Sequence, residues 1–265
     1  MRTRQYMPSQ SSLESIRPPR RLLLLVPLLL LLISGITYYV VQDAHHKIVE
    51  FQAVNVADIV TRQAAASRSV YATQIAAKLT KDGTGPHMNS EDHKGYVPIP
   101  AQFLKLVGRE ATATSDNLYR YKPLSKWNLE PTQGLSTDFQ KWAWAQLEAQ
   151  DQTDPQGPIA WQPTWRFDRL NGVKTLLYLR ADPASAENCV ACHNGLEQSP
   201  EIIDRRRVNG VPPQKQWKQH QLMGAIQVEI PLDKVGVLVE TQTRHTLLWI
   251  MAVLGAGLEI GRAHV

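Results

Sequence analysis

Both cysteines of the chain fall in one pentapeptide, Cys189-Val190-Ala191-Cys192-His193. Two thiols three positions apart, followed at once by a histidine, form the spacing that attaches c-type haem. The thiols reach the two vinyl groups on one porphyrin edge, and the imidazole lies beneath the iron as an axial ligand. Other readings of the same residues ask for more than the sequence offers. A structural disulfide has no use for the histidine. Thioredoxin-like exchange wants the pair at a helix start in a βαβ unit, and that setting is not predicted here. Zinc needs two further ligands, and no second Cys or His pair has the usual spacing. Haem c is therefore the expected cofactor, with Cys189 and Cys192 as its tethers and His193 as the proximal iron ligand.

The opposite axial position decides what such an iron does, since a strong ligand favours electron transfer or redox sensing and an open site admits gas. His93, just ahead of a proline-rich turn, is the first candidate for distal ligand; His87, Met88, His220 and Met223 remain alternatives. Met223, in a strand-like run, also reads as core or sheet surface. Arg205-Arg206-Arg207 reads either as a solvated surface run or as a partner for haem propionates. Trp142, Trp144, Trp161 and Trp165 are expected in the core, with one or two able to wall a porphyrin face. No phosphate loop and no Ser/His/Asp signature is present, and Gly255-x-Gly257-x-x-x-Gly261 has the wrong spacing for a dinucleotide turn. These residues describe an input module and not an enzyme.

The elements that position the motif begin with a membrane segment. Leu22 to Val41 is twenty residues without a charge, about 30 Å as a helix and the thickness of a bilayer core. Residues 1–21 carry five arginines (Arg2, Arg4, Arg17, Arg20 and Arg21) against Glu14 alone, which accounts for most of the formal charge of +5. A basic head before an apolar run orients a membrane helix and excludes a nucleic-acid surface as the source of the charge. The cytoplasmic head, 1–21, and the helix, 22–41, therefore precede an exported region, 42–245, on the periplasmic side of a bacterial inner membrane. Tyr-Tyr-Val-Val at the end of the run is not the small-residue site of a cleaved signal. A second apolar run, 246–258, reads as the start of a second transmembrane helix. The last seven residues, 259–265, match a translated sequencing adapter, which predicts a non-native tail and a truncated second span with any output domain beyond it missing.

Inside the exported region, Asp43 to Asp82 lacks Gly and Pro and predicts one long helix, with Tyr71, Ile75 and Leu79 on its packing face and Gly83 ending it. A short helix is predicted over Ala101–Val107, stopped by Gly108. Thr137 and Gln140 form a capping box for another. Leu118–Tyr121, Trp165–Leu170, Val173–Leu179 and Leu222–Ile230 read as strands, and Asn171-Gly172 as a two-residue hairpin turn. Leu232–Thr246 is expected to leave the last strand as a helix. The fold class is thus α+β: an antiparallel sheet with flanking helices, a long N-terminal helix and a membrane helix at each end. With 43% apolar and 20% charged residues, wholesale disorder is excluded.

Several segments together resemble the family catalogued as domain of unknown function 3365, exported c-type haem sensor domains with a PAS-like fold. Arg68-Ser69-Val70-Tyr71 is similar to that family's helix before the core. Val97-Pro98-Ile99-Pro100-Ala101-Gln102-Phe103 is similar to its proline-rich segment, Cys189 to Asn194 with Ser199-Pro200 to its haem segment, and Trp217-Lys218 with Gly224 to Leu232 to its final strand. The likeness runs over about residues 60–235 and departs between Pro200 and Trp217, where this chain is longer. It implies a PAS-like sensor for redox state or gas, tied to a signalling output. A membrane-tethered electron-transfer cytochrome is the alternative. The expected partners are the membrane, a second copy of the chain through the long N-terminal helix, and a redox partner or small gas ligand.

Overall fold

The computed structural model describes residues 20–129 and 134–263, in two compact units that part at His46/Lys47 and at Val239/Glu240. Most of the basic head lies outside the described residues. The unit from Lys47 to Val239 holds the sheet, both cysteines and the cavities.

The chain opens with α1, Arg20–Val70, a single helix that carries both the apolar run and the first part of the predicted exported helix. A π-helical turn, Tyr71–Ala76, and α2, Ala77–Lys81, continue it, and Gly83 at φ +82° ends it. The π turn explains where the expected packing face went. One extra residue in the turn moves the inward position from i+4 to i+5. Tyr71 is buried and so is Ala76, while Ile75 is 46% exposed. Tyr71 stacks on Phe103 at 4.1 Å and its hydroxyl donates to the Pro98 carbonyl at 2.6 Å.

Next come β1 (Gly85–His87), paired in parallel with β2 (Tyr96–Pro98), and α3, Pro100–Thr114. Gly108 sits inside α3 and does not stop it. A Cβ there would lie 2.7 Å from the Tyr121 carbonyl, so the glycine serves close approach of helix to strand.

Four antiparallel strands form the sheet: β3 (Arg120–Leu124), β4 (Thr164–Leu170), β5 (Val173–Pro183) and β6 (Leu222–Pro231), in the order β3-β6-β5-β4. Asn171 and Gly172, both at positive φ, turn β4 into β5 as the sequence predicts. Helix α4, Asp138–Glu148, is held at its start by the Thr137/Gln140 capping box. Phe139, Ala143, Trp144 and Leu147 of α4 pack in one core cluster with Leu177, Leu179 and Ala181. Val49, Ala53 and Ala57 of α1 cluster with Leu176, Tyr178, Val228 and Ile230, the alternate positions of the same strands. A sheet covered on both faces leaves no residue of β6 exposed, which is why its alternation of type does not become an alternation of exposure. Helices α5 (Glu187–Leu196) and α6 (Pro200–Asn209) follow β5, and α7 (Leu232–Ala263) leaves β6 directly.

One helix among the described residues is long and apolar enough to cross a bilayer, within Leu28–Lys81 at a mean hydropathy of 1.3. The expected second membrane helix does not meet that standard. Its apolar run of twelve residues is shorter than the roughly 20 a span needs, and it is bounded by Arg244 and Glu259.

Two side-chain expectations also change. Trp144 is buried and Trp161 packs on the core, but Trp142 and Trp165 are 42% and 44% exposed. Trp142 lies instead beneath the Arg166 guanidinium, 5.8 Å from its ring.

Candidate functional site

Strand β5 delivers the chain to Pro183, and α5 begins four residues later with Ala186 as its cap position. The amide N–H groups of Cys189 and Val190 both bond to the Ala186 carbonyl, so the first turn forms at the motif itself. On this helix Cys189, Cys192 and His193 stand at i, i+3 and i+4, one face of two successive turns. Both thiols are free. The pair does sit at a helix start, contrary to one part of the case against thiol–disulfide exchange, but it follows an antiparallel strand and not a βαβ crossover.

His193 is held from both sides of its backbone. Gln214 donates to its carbonyl, and Asn194 exchanges two hydrogen bonds with the Trp217 backbone at 2.9 and 3.0 Å. The Trp217 indole stands perpendicular to the imidazole at 5.6 Å and is itself fixed by a 2.9 Å bond to the Leu222 carbonyl. Burial lowers the imidazole pKa. The Gln214 hydrogen bond opposes that shift, and the positive charge of Arg68 adds to it. The neutral form, which is the ligating one, is thereby favoured. The surface of Cys192 is open to solvent, yet the protein mass around its sulfur pushes the thiol pKa up, and Cys189 adds to the effect.

Arg68 of α1 joins this face. Its Nη2 donates to Asp182 at 2.6 Å, with each side chain 13% exposed, and Asp182 foremost holds the guanidinium charged. Cys189 adds to the field that keeps Arg68 charged, whereas the Arg68 Nε is buried with no hydrogen-bond partner. It lines a cavity of about 580 Å³ together with Arg62, Trp161, Arg180 and Asp182. The indole N–H of Trp161 is a second buried donor left unpaired. Further along α1, Asp58 accepts from Arg62 at 2.6 Å, Arg180 at 2.7 Å and Tyr178 at 2.9 Å. Burial alone would raise its pKa; the Arg62 and Tyr178 hydrogen bonds and the Arg180 charge outweigh burial and lower it. A haem tethered at Cys189 and Cys192 fits these residues. The two thiols share a face with an imidazole, and the adjoining cavity has cofactor-sized volume and an aromatic wall, Trp161.

The sequence candidates divide accordingly. Cys189, Cys192 and His193 come together on α5. His93 lies apart, its ring 4.1 Å from His87 and 5.9 Å from Tyr96, and no ring contact or hydrogen bond joins it to His193 among the described residues. The Met88 carbonyl accepts from Gln102, and the Met223 carbonyl from Ser125. His220 occupies a left-handed turn at φ +72° and donates its backbone N–H to Ala184.

In the arginine run, read either as a solvated surface or as a partner for propionates, Arg205 pairs with Glu201, Arg206 with Glu197 and Arg207 with Asp204, so each guanidinium already has a carboxylate partner. Arg62, Arg180 and Asp58 were missed by sequence reasoning. Asp58 and Arg62 are legible as an i,i+4 helix pair, and Arg180 as the charge that interrupts the apolar run of β5, but nothing local says that they meet.

A four-stranded antiparallel sheet between helices, entered by one long helix, defines an α+β domain. Residues 45–231 match the family model described as Tll0287-like, and the chain belongs to this sensor-like domain family. No curated protein matches the chain. No solved structure does either.

Proposed function

We propose that this chain is a membrane-anchored, periplasmic haem-c sensor domain with a PAS-like sheet, responding to redox state or a gas. The observation that carries this reading is the display of Cys189, Cys192 and His193 on one face of α5, beside a cavity lined by arginines and Trp161. Cys189 and Cys192 tether the haem and His193 ligates its iron through a neutral imidazole. When bound, the haem supplies an iron that changes valence or takes a diatomic ligand.

The protein's own groups do the rest. Asn194, Gln214 and Trp217 fix the orientation of His193, as outer partners do for ligating histidines. Trp161 and the arginines line the open cavity beside the group. His93 is the proposed distal ligand. The Asn89 carbonyl, 3.0 Å away, can only accept, so Nδ1 carries the proton and Nε2 keeps its lone pair. His87 accepts from the Asn89 N–H through Nδ1, which puts its proton on Nε2 and makes it the poorer ligand.

A second copy of the chain is assigned to α1. Ile48, Phe51 and Ile59 are exposed along one side of that helix, opposite buried Val49, Ala53 and Ala57. If Phe51→Glu leaves the sedimentation of the exported domain unchanged, that interface is wrong.

The test of the function is chemical. The full chain is expressed with a c-type maturation system, denatured and extracted with acidified butanone. Pigment should stay with the polypeptide and vanish in Cys189→Ser/Cys192→Ser; pigment that leaves with the solvent overturns the reading.

A further inference from the structure

We propose that Arg62 and Arg180 form the seat for the paired carboxylates of the porphyrin, held in place by Asp58. The proposal rests on the haem reading above and adds residues that neither the motif nor the family match assigns. The arginines of two ionic clusters line one cavity. The first, Arg68 with Asp182, adjoins Cys189 and hence the thioether edge of a tethered porphyrin. The second, Arg62 and Arg180 around Asp58, is displaced from it by six residues along α1, about 9 Å. It is also displaced by two residues along β5, on the same face of the strand. A porphyrin carries its carboxylates on the side away from its vinyl groups, so a ring anchored at the first cluster points them toward the second.

The charges agree with this assignment. Among the residues that line the cavity, three guanidiniums face one carboxylate, Asp182, an excess that an anionic ligand neutralises. Arg62 engages Asp58 through Nε and Arg180 through Nη1. The flat fork of each guanidinium has further donors for a carboxylate, which is the geometry arginine suits best. Asp58 is tied to Tyr178 as well, so it stays in place when the arginines turn to the ligand. In the run Arg205 to Arg207 each guanidinium has an acid of its own, whereas Arg62 and Arg180 share Asp58.

The experiment pairs a change in the protein with a change in the ligand. Full-length Cys189→Ser/Cys192→Ser in detergent is titrated with ferric protoporphyrin IX and with its dimethyl ester, followed at the Soret band. The diacid should bind at least tenfold more tightly than the ester. That gap should disappear in the added Arg62→Ala/Arg180→Ala background and persist with Arg207→Ala. Arg62 is 63% exposed, so Arg62→Ala alone keeps the fold and should remove part of the gap. Equal binding of diacid and ester, or a gap that survives the double arginine change, overturns the seat. The wild-type chain separates the two levels of failure. Covalent pigment with no gap leaves the haem reading standing without this seat, and absence of pigment ends both.

Discussion

At the scale of single residues, the ion pairs are separated by burial. Arg206 and Glu197 expose 6% and 10% of their side chains, and Arg206 also donates to the carbonyls of Trp127 and Pro212. Truncating Arg206 to alanine strands a buried carboxylate and should cost about 3–5 kcal/mol in urea denaturation. Arg207→Ala, at a residue with 79% exposure, should leave the midpoint unchanged. Asp58 links stability to pH. Its folded pKa lies below the ordinary carboxylate value, so its contribution is complete above about pH 4 and is lost as pH falls through the folded value. Asp58→Asn should therefore flatten the acid limb of the stability curve and leave its neutral region nearly parallel to wild type. The cysteine–histidine spacing was legible because thioether attachment is a local geometry. Arg68 was legible only as part of a family-like segment, since its partners lie 114 and more residues away.

Among the elements, those set by local chemistry match the sequence, and those set by contact do not. The Thr137 capping box and the Asn171-Gly172 hairpin are fixed by residues within a few positions of one another, and both form. Gly108 and Ile75 depend on what lies opposite. Glycine reads as a helix stop until the Tyr121 carbonyl is seen pressed against it, and the Tyr71–Ile75–Leu79 spacing reads as a face until a π turn shifts it. Gly108→Ala sets these two scales against each other. Helix propensity alone would favour alanine by about 1 kcal/mol, whereas the 2.7 Å approach to a backbone carbonyl forces α3 off β3. A net destabilisation of about 1–3 kcal/mol is expected, read by chemical denaturation; a stabilised variant would show that α3 yields freely.

For the whole molecule, the mixed α+β class and the helical nature of the apolar run and of the stretch after it could be read from pattern, though not their continuity as one helix, while the second span could not, because twelve apolar residues fall short of a bilayer. A helix near the N-terminus serves either as a retained anchor or as a signal sequence, and the two differ in the mature mass. An anchored chain should resist carbonate extraction from membranes and keep its full length by mass spectrometry; a soluble chain shortened near Val41 would make it a signal sequence. The π turn has a larger consequence than its six residues. One surplus residue in a helical rod offsets the register of all that follows by about 100°. The residues after Tyr71 therefore present a different side to the core from the one an unbroken α-helix would offer, and the Tyr71 hydroxyl on the Pro98 carbonyl anchors the start of that offset.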